Sequence, residues 1–401
     1  MASLIERNEI KRYEENKKKA KRKKHILIIG SIVMCICLEI VHLVYRMNRT
    51  YKGYTIIKSV ERADSNSVVY MPYGKNFIKY SKDGASGFRP DGEILWNGSY
   101  EMKNPKAVTC GNYVAVADIG GKYVYIFIGV YTGTYMEMDS PIEQIAVANQ
   151  GVFAVVLKKN GEANINIYDP YNTIEQLKVS IATSTDNDGF PVDIALSKDG
   201  QKLVTSYLNV QNGVLESSLN FYNFDNVGKN SVDRIVGSRP LEQKVVVDID
   251  FLDNNTICAY TKDGFRLYSM KETPQDIEVV EIKETINSVA SNSKYIAVVT
   301  EENNRVEVPY KLFVYNTNGE KVLEKDITFT YDNIEMGEDE VILYSKREAH
   351  IIRLNGKEKF NCQLASSASF FFPIIDEDKY LLIDGNSLKQ IRMAEKGVEE
   401  L

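Results

Sequence analysis

The sequence predicts an all-β chain, a β-propeller of eight blades preceded by one transmembrane helix. Three observations carry this expectation. An apolar strand type recurs eight times, its starts separated by 37, 39, 51, 53, 39, 46 and 39 residues. Most copies sit among further short strands bounded by polar turns, which gives four strands per repeat. An apolar run from Ile26 to Tyr45 is long enough to span a hydrocarbon core as one helix, which needs about 20 residues.

The chain opens on a basic tail, residues 1–24, with ten Lys/Arg against four Glu. The span follows over 25–46. Its outer flank carries fewer positive charges, so the tail stays in the cytoplasm and the remainder lies outside the cell membrane. The segment also has the shape of a signal sequence. Val44 to Arg49 is too bulky for a small-x-small cleavage site, so an uncleaved signal anchor is expected. The basic tail sets topology and touches anionic lipid.

Within the span, Ser31, Cys35, Glu39, His42 and Arg46 are spaced four, four, three and four, which aligns them on one helical stripe. An ionisable group at the depth of Glu39 is costly unless paired or neutral. Cys35, Glu39 and His42 are therefore the candidate contact to a partner helix or to a second copy. The competing reading is a protonated Glu39 with His42 reaching outward to the interface.

A juxtamembrane linker is expected over 47–53, the propeller over 54–394 and a tail over 395–401. The eight recurring strands are 76–81, 113–117, 152–157, 203–208, 256–260, 295–300, 341–344 and 380–383. Many have a preceding strand, as at 142–146, 192–196 and 245–251. A third strand follows at 123–127, 164–168, 265–268, 311–315 and 350–354. A more polar fourth appears at 321–325 and 357–360, after Asn-Gly pairs at 318–319 and 355–356. Asn-Gly is a strong hairpin signal because both residues tolerate positive φ.

One four-stranded sheet cannot bury both faces, whereas sheets stacked around an axis can, leaving only short edges. A pair of β-sandwiches is the alternative. The last unit, from Ala368, supplies three strands. Tyr54 to Val60 has no unit of its own and is expected to close the ring as the missing strand. That makes eight blades; seven is the alternative.

Composition is that of a folded chain, 44% apolar and 26% charged. Beyond residue 24 there remain 39 basic and 51 acidic residues. That surplus argues against nucleic acid as a partner. Three of five cysteines, Cys110, Cys258 and Cys362, fall outside the span, an odd and scattered set that makes no disulfide framework.

The basic tail, single span and degenerate four-strand repeat resemble membrane-anchored propeller proteins of the WD40 and quinoprotein-like kind. More narrowly, they are similar to an uncharacterised domain-of-unknown-function family of clostridial and related Gram-positive bacteria. The resemblance covers nearly the whole chain. It implies the fold more firmly than an activity, because propellers host many functions. The chain lacks the Gly-His and Trp-Asp repeat pairs, and Trp96 is its only tryptophan.

Catalytic chemistry has few candidates. His350, the one histidine beyond the span, lies in an apolar strand run and reads as structural. Asp186 to Gly189 has the start of a calcium loop, but its twelfth position is Ser197 rather than a bidentate Glu; it reads as a turn. Gly120-Gly121 reads as a β-turn rather than a phosphate cradle, since a strand and not a helix follows. Asp248 and Asp250 face one side of a strand. They are expected to be solvated or Lys-paired, with paired channel carboxylates as the other reading. No cofactor or metal is expected. The expected function is a non-catalytic, membrane-tethered module holding a protein or envelope ligand on its loops. The alternatives are a channel enzyme, hydrolase or quinoprotein-like, and a receptor subunit that signals through a partner membrane helix.

Overall fold

The structure is a computed structural model. It describes residues 17, 22–25, 27–41, 44–45, 48–62, 67–129, 131–172, 174–185, 188–211, 213–302, 307–374 and 378–400. The chain divides into two compact units, Met1–Thr50 and Tyr51–Leu401. In the first, a helix over Arg22–Val41 is long and apolar enough to cross a membrane. Its side chains, Leu27, Ile32 and Leu38 among them, are exposed.

The second unit is an eight-bladed propeller. Blades 1 to 7 are four-stranded antiparallel sheets over 69–99, 105–137, 142–183, 190–241, 246–281, 286–327 and 333–363. Blade 8 combines 368–394 with both outer segments of the unit, 53–61 and 398–400. First strands of blades 1 to 5 lie beside one another in turn, as do those of blades 6 and 7, which places them around the axis. The eight recurring apolar runs are the second strands of the eight blades. Such a strand has a neighbour on each edge and a blade against each face, so it reads as an unbroken apolar run. Val114 to Ala117 and Ile296 to Val299 are buried without alternation. Fourth strands such as Gln275–Glu281 are largely exposed.

The core is split into eight apolar clusters, one at each blade boundary. Trp96 belongs to the boundary of blades 1 and 2, where it stacks on Phe127 with ring centroids 4.2 Å apart. A Cβ on Gly98 would stand 2.4 Å from the Phe127 ring, so only glycine fits beneath that stack.

Ring closure uses strand β1, Gly53–Glu61, which pairs antiparallel with Ser387–Ala394. Tyr54 faces Met393 and Val60 faces Leu388. The third and fourth strands of blades 1 to 7 each pair through a register shift, and β1 has one too, between Ile56 and Lys58. β1 thus occupies the fourth-strand position of a regular blade. Val398–Glu400 adds a fifth strand, parallel to β1, within the stretch expected to be a tail.

The Asn-Gly turns differ from expectation in detail. Gly319 and Gly356 have φ of +81° and +80°, while Asn318 and Asn355 are not in the left-handed region. Just past each turn the fourth strand carries one extra residue, Val322 or Lys359, so one positive φ suffices. Asn160-Gly161, with φ of +55° and +90°, is the pair in which both residues are left-handed.

Candidate functional site

The inner strands carry the site's chemistry. Five of them shift register near their start, and the residues after the shift are Gln144, Asp193, Asp248, Ser288 and Phe370. These belong to blades 3, 4, 5, 6 and 8. A bulge turns the following side chain away from the regular alternation. Four consecutive blades therefore offer a polar group to the inner ring, whereas in blade 8 the residue after the shift is aromatic.

The polar groups bridge blades. Lys106 Nζ of blade 2 donates to Gln144 Oε1 at 2.8 Å. Gln144 Nε2 donates to the Val192 carbonyl at 2.8 Å. Asp193 Oδ2 accepts the Ile249 N–H of blade 5 at 2.9 Å. Asp248, one residue from Ile249, feels the charge of Asp193. Ser291 Oγ of blade 6 donates to Asp250 Oδ2 at 2.9 Å. Phe370 instead packs into the boundary of blades 8 and 1, near Tyr70 and Phe77.

Electrostatics follow from this crowding. Burial, then the neighbouring Asp193 and Asp250, pushes Asp248 up to about 7. Burial also raises Asp193. Asp248 is nonetheless exposed to water at the surface. Glu335, on the inner strand of blade 7, is pushed up to about 7 by burial alone. Asp248 and Asp250 do share a side of their strand. They are not ion-paired with lysine among the described residues; Asp250 accepts from Ser291 and Asp248 stands beside Asp193.

A second feature lies on blade 4. Its middle strands, Lys202–Gln211 and Val214–Asn223, have ten residues each, against five to seven in the corresponding strands of most blades. Their inner neighbour begins opposite Leu208, and their outer neighbour ends opposite Ser217. Residues 209–211 and 214–216 therefore extend past the sheet as a two-stranded ribbon. Val210 faces Leu215 across it, and Val210, Leu215 and Val214 are 69%, 50% and 46% exposed.

The remaining sequence candidates fall as follows. His350 is 5% exposed and stacks on Phe329 with centroids 3.4 Å apart. Glu348 and Glu358 lie 3.8 and 3.9 Å from its nitrogens, beyond hydrogen-bond distance. Gly121 donates its N–H to the Asp118 carbonyl at 2.9 Å, which closes a turn at Gly120. Asp188 accepts the Ser184 N–H at 2.8 Å; Asp186 and Asn187 lie outside the described residues. No group of three or more His, Cys, Asp or Glu among the described residues is placed to hold a metal ion. All five cysteines are free. Cys35 and Glu39 are exposed on the apolar helix, while His42 and Arg46 lie outside the described residues.

Sequence reasoning missed Asp193, Glu335 and the ribbon. Asp193 had a signal: it occupies the place in Phe190–Leu196 that Asp248 occupies in Val246–Phe251.

None of the curated proteins matches the chain in sequence. Among solved structures it is similar to BamB from Moraxella catarrhalis, at 12% identity, covering 85% of this chain and 100% of that one, with a TM-score of 0.52. It is also similar to a eukaryotic initiation factor, at 13% identity, covering 87% and 89%, with a TM-score of 0.55. Likeness at these identities shows the fold alone. Residues 47–393 match the family of unknown function DUF5711, and the chain belongs to that family.

Proposed function

We propose that the protein is a non-catalytic binding module, a propeller tethered outside the cell membrane by its N-terminal helix, which holds a protein or cell-envelope ligand. The observation that carries this reading is the blade 4 ribbon, with Val210, Val214 and Leu215 exposed beyond the sheet. An apolar cluster raised above a polar surface is the usual anchor of a protein contact. A photoreactive residue at Val210 or Leu215, in cells, should give one discrete adduct. The same residue at Ile94, equally exposed on blade 1, should not. Leu215→Lys should abolish the adduct from Val210. Equal labelling at all three positions would remove the ribbon from the binding surface.

Orientation and anchor contact belong to the same reading. The charge difference across the span supports an inside N-terminus. Protease added to intact wall-stripped cells should digest the propeller and spare an N-terminal tag. Cys35, Glu39 and His42 are read as the contact to a partner helix or a second copy. Polar contacts between helices in membranes contribute about 0.6 to 2 kcal/mol. Glu39→Leu should therefore weaken crosslinking through Cys35 without changing insertion, and His42→Ala should do so less.

The Asp193–Asp248 pair favours a second reading, an acid–base enzyme in the channel, because one carboxyl retains a proton near neutrality. Asp193 is already engaged, accepting the Ile249 N–H of the next blade. The binding reading is therefore preferred. A variant with both aspartates replaced by asparagine that keeps ribbon crosslinking would agree with it.

A further inference from the structure

Blades 4 and 5 meet, at the inner ring, across three carboxyl groups. Asp193 stands on Phe190–Leu196, and Asp248 and Asp250 stand on Val246–Phe251. Asp193 Oδ2 accepts the Ile249 N–H at 2.9 Å across the boundary. Asp248, next to Ile249 in the chain, thereby comes within the field of the Asp193 carboxyl. An ionised carboxylate only accepts, so two carboxyls can bond only when one carries a proton.

We infer that Asp193 and Asp248 form a proton-bridged latch between blades 4 and 5, closed while the pair holds one proton and pushed apart when that proton leaves. In the closed state the protonated Asp248 donates to Asp193, and Asp193 accepts from both Asp248 and Ile249. Loss of the proton removes that donor. It leaves two adjacent carboxylates, with Asp250 as a third nearby.

The surroundings favour the closed form. Lys106 of blade 2 attracts Asp193, and the Ile194 and Ile249 N–H groups bond it. Lys106 and the Ile194 N–H hold Asp193 as the ionised acceptor of the pair, whereas the Ile249 N–H lowers both carboxyls. On the other side Asp250 repels a charge on Asp248. The thiols Cys110 and Cys258 and the Tyr260 hydroxyl also feel Asp250, and all three are raised, chiefly by burial, which keeps them neutral. Lys198 acts on Cys110. Asp248 is pushed up to about 7. A raised carboxyl contributes stability that is present below the ordinary carboxylate range and lost as pH rises through the folded value. The latch therefore weakens from mild acid to above neutrality.

Thermal melting of the full chain in detergent between pH 5 and pH 8 tests this. The wild-type melting temperature should fall as pH rises. Asp248→Asn keeps a donor for Asp193 and carries no charge. It should lose most of that fall and melt above wild type at pH 8. Asp193→Asn should also flatten the profile, and Asp250→Asn should flatten it less. A fall equal to wild type in both Asp248→Asn and Asp193→Asn overturns the latch. If neither variant folds, hydrogen exchange of Ile249 in the wild-type chain decides. Protection corrected for intrinsic rate should drop between pH 5 and pH 8, and constant protection overturns the proposal.

Discussion

The seam inside blade 8 and the inner contact between blades 4 and 5 both hold the ring together, by different means. At the seam, β1 is fixed by a backbone ladder to Ser387–Ala394 and by the parallel strand Val398–Glu400. Tyr54 is fully buried, and its hydroxyl accepts the Ala365 N–H at 3.1 Å. Tyr51 pairs with the outer strand of blade 7 through Lys359 and Asn361, at 2.9 and 3.1 Å. Arg62 lies over the Tyr70 ring of blade 1, 4.6 Å from its centroid. The charges nearby are balanced, with Lys359 and Glu340 2.7 Å apart. Between blades 4 and 5 the apolar cluster is of ordinary size, but the inner contact is a set of like charges sharing a proton.

The difference has a physical reason. The seam is the one place where the ring is closed without a peptide bond, so its failure opens the whole unit. Backbone hydrogen bonds carry no titratable proton between pH 5 and 8. Blades 4 and 5 are joined by the short connection from Leu241 to Val246. A proton-dependent contact there can weaken without separating the blades.

The largest expected effect breaks the seam. Tyr54→Ala removes a fully buried aromatic from the boundary of blades 7 and 8 and should cost about 3–5 kcal/mol. Denaturant unfolding should show the same loss at pH 5 and pH 8. A loss confined to one pH would erase the distinction between the seam and the inner contact.

A smaller effect is expected at the boundary of blades 4 and 5, away from the carboxyls. Buried Lys202 donates to the Asn254 carbonyl at 3.0 Å and to Asn255 Oδ1 at 2.6 Å. Lys202→Met strands both acceptors, a cost of about 1–3 kcal/mol. That cost should not change between pH 5 and 8, which would show that pH sensitivity belongs to the inner carboxyls and not to the boundary as a whole.

The smallest effect concerns Glu335, raised to about 7 by burial. Its neutral form is the stabilising one, so its contribution is present in acid and fades as pH rises through that value. Glu335→Gln should match wild type near pH 5 and melt slightly higher at pH 8. A lower melting temperature at pH 8 would mean that the carboxylate has a favourable partner.

Much of the fold was legible because second strands are buried on both faces, which leaves a signal that no turn or loop imitates. Val152 to Leu157 and Tyr295 to Thr300 are of this kind. The closing strand was legible for a different reason: Tyr54 to Val60 was an apolar segment without a unit. The fifth strand, Val398–Glu400, was not, because its pairing comes from backbone next to β1 rather than from apolar side chains. The ribbon was hidden by its own polarity. Asn209, Gln211 and Asn212 look like the end of a strand, yet the ladder runs on to Gln211 opposite Val214. Asp248 was found by its alternation with Val246 to Phe251. Its partner stands 55 positions earlier, and only the ring brings the two together.

The seam also fixes an order of events. β1 is made first among the strands, and its antiparallel partner, Ser387–Ala394, is made among the last. Through the synthesis of seven intervening blades its hydrogen-bonding edges have no permanent mate. Contacts of such sequence separation form late and slowly. The ring therefore has no closed precursor. A chain interrupted before residue 387 carries seven blades' worth of stacked sheet and one orphan strand, and an orphan strand is a template for pairing with the wrong chain. The ring is complete only once residues 387–394 have been made and have found β1.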